Sequence, residues 1–166
     1  MRAFLLANSP AEQVRMAKNP LKCYFGNYMT LADIDRELGE GVSSAWLVPQ
    51  LHNLSEFCGA KNKLQGETLK ECAEMIADDY FYLKTSELML FFQNMKKGRY
   101  GKFYGTIDPH IIFTSLNKFI VERSNAHEKR ESDIKAKEEE ERRKNAISYD
   151  EYCRLYKNKK NQNEAV

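Results

Sequence analysis

The sequence predicts an all-α fold: a compact multi-helix bundle extended by a long charged C-terminal helical arm. Three observations carry that prediction. Apolar residues recur at three- and four-residue spacing through most of the chain, and cap or proline signals open several of the segments so patterned. No stretch sustains the alternation of a half-buried strand. With 166 residues, 42% of them hydrophobic, the chain can bury a core without disulfide or metal staples.

The elements follow in order. Ser9-Pro10-Ala11-Glu12 is a helix-start signature in which Ser9 can cap and Glu12 can complete a capping box; that helix is expected to stop before Asn19-Pro20. Thr30 and Asp33 repeat the box before a short helix ended by Gly39. Val42 to Phe57 carries Leu47, Leu51, Leu54 and Cys58 on one stripe, widened by Trp46 and Val48, with Pro49 expected to kink or restart it. The single tryptophan reads as a core anchor. Residues 60–66 form a polar connection.

From Glu67 the residues Leu69, Cys72, Ala73, Ile76 and Tyr80 have helical spacing. Thr85 or Ser86 can cap the next helix, whose face is Leu88, Phe91, Phe92 and Met95, and whose basic end suits the helix dipole. Asp108-Pro109 is a strong start for a helix with Ile111, Ile112, Phe113, Leu116, Phe119 and Ile120. Its broad apolar face makes it the expected central core helix. Beyond Arg123 apolar side chains nearly vanish while helix formers continue. Glu138–Arg142, Glu139–Arg143 and Glu140–Lys144 have the favourable spacing and order. Without an apolar heptad this is a solvated arm rather than a coiled coil. Ser148 then starts a short helix with Tyr149, Tyr152, Cys153 and Tyr156 on one face, and the tail from Lys157 should fray. The expected organisation is a head over 1–123 and an arm, terminal helix and tail over 124–166.

Composition bounds function. A net charge of +2 is too mild to mark a nucleic-acid binder by bulk charge. Cys23, Cys58, Cys72 and Cys153 lie far apart, as reduced thiols of a cytoplasmic protein would. The Phe4-Leu5-Leu6 run is too short for a signal peptide and nothing reaches the length of a membrane span, so no membrane association is expected. His52, His110 and His127 lack ligand-spaced neighbours, and no phosphate-binding loop, nucleophile elbow or zinc signature occurs. No metal, cofactor or catalytic residue is therefore assigned. Glu74, Asp78 and Asp79 form the best acidic cluster, but with no second acidic motif they read as an exposed helix end before a Mg²⁺-dependent nuclease.

The loop from Lys96 to Gly105 is the most suggestive segment. Lys96, Lys97, Arg99 and Lys102 alternate with Tyr100 and Tyr104 among three glycines, cations for phosphates and rings for stacked bases. The competing reading is a tight connection: glycines for positive φ, rings plugging helix ends and lysines complementing a C-terminus.

The run Asp78 to Lys84, Leu90-Phe91-Phe92, Lys97 to Lys102, Tyr104-Gly105, Ile107-Asp108 and Phe119 to Arg123 resembles uncharacterised small helical proteins of bacterial phages and integrative elements. In architecture the chain is also loosely similar to phage replicative-helicase loaders and inhibitors, which pair a helical head with a charged C-terminal segment. The resemblance implies a non-enzymatic adaptor of mobile-element DNA replication or processing. Its expected partner is a protein such as a replicative helicase, bound through Tyr149, Tyr152 and Tyr156. Nucleic acid, bound at the loop, is a second expected partner. The alternative is a protein-binding regulator of a host factor whose loop is only structural.

Overall fold

The computed structural model describes residues 1–58, 64–101, 107–146 and 148–154. Among them the secondary structure is helical, with no strand and one isolated antiparallel bridge between Thr30 and Lys84. The helices are α1 Arg2–Ala7, α2 Gln13–Met16, α3 Pro20–Phe25, α4 Leu31–Leu38, α5 Val42–Phe57, α6 Gly66–Asp79, α7 Thr85–Lys96 and α8 Pro109–Asn145. Residues 149–154 form a further short helix, α9. The chain divides into two compact units, Met1–Ala126 and His127–Val166.

Several starts follow the expected chemistry. Thr30 and Asp33 close a capping box on α4, with Asp33 N donating to Thr30 Oγ1 at 3.1 Å and Thr30 N to Asp33 Oδ2 at 3.0 Å. The backbone and hydroxyl donors of Thr30 hold the Asp33 carboxyl below its usual range. Asp108 Oδ1 accepts from Ile111 N at 2.9 Å and opens α8 at Pro109. Ser148 Oγ accepts from Glu151 N at 3.2 Å at the start of α9.

Others differ. Ser9 makes no side-chain cap; Pro10–Glu12 is a 3₁₀ turn, and α2 is a single turn after it. α1 and α3 were not anticipated. The Asn19-Pro20 pair, read as a stop, is also a start: Asn19 Oδ1 caps Lys22 N at 3.0 Å and Pro20 occupies the first turn of α3. Lys84, rather than Thr85 or Ser86, is the N-cap of α7, its N–H donating to Glu87 Oε2 at 2.9 Å. α5 runs unbroken through Pro49.

The central helix of the head is α7, not α8. α7 packs against α2, α3 and α5, while α5 also packs on α4 and α6. Leu88 to Phe92 and Met95 are buried, together with Thr85, Ser86, Glu87 and Asn94. These polar residues disguise the helix in sequence, yet each of three has a partner inside. Ser86 Oγ donates to Cys23 O at 2.8 Å, Glu87 Oε1 accepts from Arg123 Nε at 2.7 Å, and Asn94 Nδ2 donates to Tyr100 Oη at 3.4 Å. α8 contributes Ile112, Ser115, Leu116 and Phe119 to the core. The rings of Tyr24, Phe91, Phe92, Tyr100 and Phe119 form a continuous cluster with centroids 5.3–6.0 Å apart. Trp46 is buried, its Nε1 donating to Asn8 O at 2.8 Å.

Candidate functional site

The basic-aromatic segment begins at the end of α7, where the chain must reverse. Gly98 adopts φ 72, and its N–H reaches Met95 O at 2.8 Å while Arg99 N–H reaches Asn94 O at 3.1 Å. That pair of bonds satisfies the last carbonyls of the helix, and the left-handed residue it needs is a glycine.

The turn sends the charged and aromatic side chains in different directions. Lys96 folds back into the head: its Nζ donates to Gln13 Oε1 at 2.7 Å and to Asn53 Oδ1, and lies 5.4 Å from the centroid of the Phe57 ring. Burial holds this ammonium below the usual lysine range. Gln13 Nε2 donates in turn to Gln50 Oε1 at 2.6 Å, and Gln50 Nε2 to Asn8 O at 2.8 Å. Lys96 is thus the cationic end of a polar chain that ties the N-terminal segment to α5 and α7. Removing it would leave amide oxygens of Gln13 and Asn53 without their donor, at about 1–3 kcal/mol.

Tyr100 is also inside. Its ring lies 5.7 Å from Phe91, its hydroxyl donates to Glu122 Oε2 at 3.3 Å, and its carbonyl accepts from Lys118 Nζ at 3.1 Å. Burial pushes its phenol well above the ordinary tyrosine range. Arg99, more than half exposed, pairs with Glu122 at 3.1 Å, and Lys97 is exposed. Lys102 and Tyr104 lie outside the described residues. Of the four described residues expected to meet nucleic acid, two are therefore engaged in the head's packing. Lys97 and Arg99 remain on its surface.

The run before α7 is likewise committed to structure. Leu31 N and Ala32 N donate to Leu83 O and Phe81 O at 3.0 and 2.9 Å, and Thr85 N donates to Met29 O at 2.9 Å. Lys84 Nζ caps the end of α3 by donating to Tyr24 O and Gly26 O, each at 3.0 Å. The Glu87–Arg123 pair joins α7 to α8, with the guanidinium 5.6 Å from the centroid of the Tyr82 ring. Beside it Phe81 is 55% and Tyr82 38% exposed. Glu74, Asp78 and Asp79 are exposed on α6, and among the described residues no group of three His, Cys, Asp or Glu could hold a metal ion.

Sequence reading missed Gln13, Gln50, Asn53 and Glu87. Only Glu87 left a signal, its capping-box spacing from Lys84. The amides left none, because their partners are distant in the chain.

In the second unit the side chains from 131 to 146 are all exposed. Arg143 pairs with Glu139 at 2.7 Å and Lys144 with Glu140 at 2.6 Å, each one turn away. On α9 Tyr149 is 79% and Tyr152 45% exposed, while Cys153 is partly covered; Tyr156 lies outside the described residues. Residues 63–163 match the model of DUF6633, a family of unknown function. The chain belongs to that family. No curated protein and no solved structure matches it. The DUF6633 span takes in α6 to α9, including the charged outer part of α8, and begins after α5. No described helix is long and apolar enough to cross a membrane.

Proposed function

We propose that the chain is a non-enzymatic adaptor that engages a protein partner through the outer part of α8 and α9. One observation carries this reading: the stretch from 131 to 146 buries no side chain, yet it lies inside the span that matches the family. A helix that adds nothing to a core is retained for what it presents. Tyr149 and Tyr152 present large, rigid, amphipathic surface at its end, the type of side chain that anchors a helix in a partner's groove. The resemblance to phage and integrative-element proteins directs the first choice of partner to the DNA replication machinery, a bacterial replicative helicase. Lys97 and Arg99 support a second, weaker contact with single-stranded nucleic acid.

The test titrates a bacterial replicative helicase with the full chain, with residues 1–126 alone and with the Tyr149→Ala/Tyr152→Ala variant, by calorimetry. Circular dichroism first establishes that each is folded. The expected result is binding by the full chain, loss of binding by 1–126 and a drop of about tenfold or more for the tyrosine variant. Binding retained by 1–126 overturns the arm's role, and no binding by the full chain removes the helicase. Fluorescence anisotropy of labelled oligonucleotides at two salt concentrations, with Lys97→Ala/Arg99→Ala as control, tests the loop contact separately.

A further inference from the structure

The head carries a recess in its N-terminal part, outside the family's span. Asn8, Arg15, Met16, Asn19, Lys22 and Tyr28 line a cleft of about 530 Å³ among α1, α2 and α3. That volume falls within the ~300–1,000 Å³ range of small-molecule sites.

Its frame is built rather than incidental. The Asn8 carbonyl accepts from both Trp46 Nε1 and Gln50 Nε2, each at 2.8 Å. Cys23 Sγ donates to Met16 O at 3.3 Å, and Asn19 is held as the cap of α3. The Tyr28 ring packs against Gly26, so closely that a Cβ there would come within 2.5 Å of its Cε2. Any other residue at 26 would displace it.

Charge is segregated along this part of the chain. Over the first 29 residues Arg2, Arg15, Lys18 and Lys22 stand against Glu12 alone. Over 30–58 the balance reverses, with Asp33, Asp35, Glu37, Glu40 and Glu56 against Arg36. At the recess itself the lining holds two cations, Arg15 and Lys22, and no carboxylate. Arg15 pairs with Glu12 on the adjacent turn, an exposed pair that an incoming dianion can outcompete.

We propose that this cleft binds a small phosphate monoester bearing a planar ring, of which a nucleoside monophosphate is the simplest form. Arg15 and Lys22 hold the phosphate, the guanidinium as a fork and the ammonium as a point charge. The ring of Tyr28 offers a stacking face. With Asn8 Nδ2 donating to Phe4 O at 2.9 Å and Asn19 Oδ1 capping α3, the Asn8 side-chain oxygen and the Asn19 side-chain nitrogen supply an acceptor and a donor for the ligand ring's edge.

The experiment uses the full chain at low salt, with AMP, adenosine and inorganic phosphate as separate probes in calorimetric and NMR titrations. Saturable AMP binding is expected, with adenosine and phosphate each weaker by about tenfold or more. Arg15→Ala/Lys22→Ala should weaken AMP by about tenfold or more without changing thermal unfolding, because both side chains are exposed. Glu12→Gln should strengthen it several-fold by freeing Arg15. The absence of saturable AMP binding overturns the proposal, as does AMP binding indifferent to the double variant. Phosphate binding as tightly as AMP overturns it equally, because the ring would then contribute nothing.

Discussion

In α7 ten side chains are buried, whereas from 131 to 145 in α8 every side chain is exposed. Both stretches are α-helical and of similar length, and both contain Lys and Glu. Taken alone, α7 would be marginal at twelve residues. It is held by Phe91, Phe92, Leu88 and Met95 against the rest of the head, and by partners for its buried polar groups. The outer part of α8 has helix formers and pairs one turn apart, each contributing about 0.3–0.5 kcal/mol. One helix depends on everything around it, the other on its own neighbours, so they should fail under different perturbations.

The largest expected effect is in α7. Phe92→Ala removes a fully buried ring and should cost about 3–5 kcal/mol, a large share of a small domain's stability. Urea unfolding read at Trp46 fluorescence measures it; a loss below about 1 kcal/mol would mean that the aromatic cluster is not what holds the head.

A middle-sized effect comes from alkali. Burial, with a smaller contribution from Glu87, pushes the Cys23 thiol up to about 11, and burial alone pushes Cys72 to about 11, from 9.0. In the unfolded chain both thiols ionise first, so the contribution is complete below pH 9 and falls as pH rises from there toward 11. Melting temperature should therefore decline over that window, and Cys72→Ala should flatten the decline. A flat profile in the parent chain would place these thiols in contact with water.

The smallest effect belongs to the arm. Glu139→Ala/Glu140→Ala removes two exposed pairs and should lower far-ultraviolet helicity by an amount equivalent to less than about 1 kcal/mol. The melting temperature of the head should not move, and salt should reduce the difference. A shift of several degrees in the head would contradict the separation between the two helices.

The same contrast explains what could be read in advance. Signals contained within one turn were legible: the Thr30–Asp33 box, the Asp108 cap, the Leu stripe of α5 and the Glu139–Arg143 pair all bring together residues three or four apart. α1 and α3 are six residues each, too short for a period to declare itself. The central place of α7 was hidden because Ser86, Glu87 and Asn94 interrupt its apolar pattern, and the partners that let them be buried, Cys23, Arg123 and Tyr100, lie outside that helix. Lys96 shows the limit most clearly. A lysine beside another lysine at a helix end reads as surface charge, and its partners Gln13 and Asn53 are 83 and 43 residues away.

That last spacing also sets an order of events during synthesis. Gln13 emerges first, and at ~5–20 residues per second Lys96 follows it after roughly 4–17 seconds. Ser86, which secures the Cys23 carbonyl, and Phe119, which covers Tyr24, come late as well. Throughout that interval the side of the opening segment that faces α7 has no partner to close upon. Trp46 and Gln50, which hold the Asn8 carbonyl, arrive earlier, so the segment can begin to pack on α5 and completes its contacts only once α7 has been made.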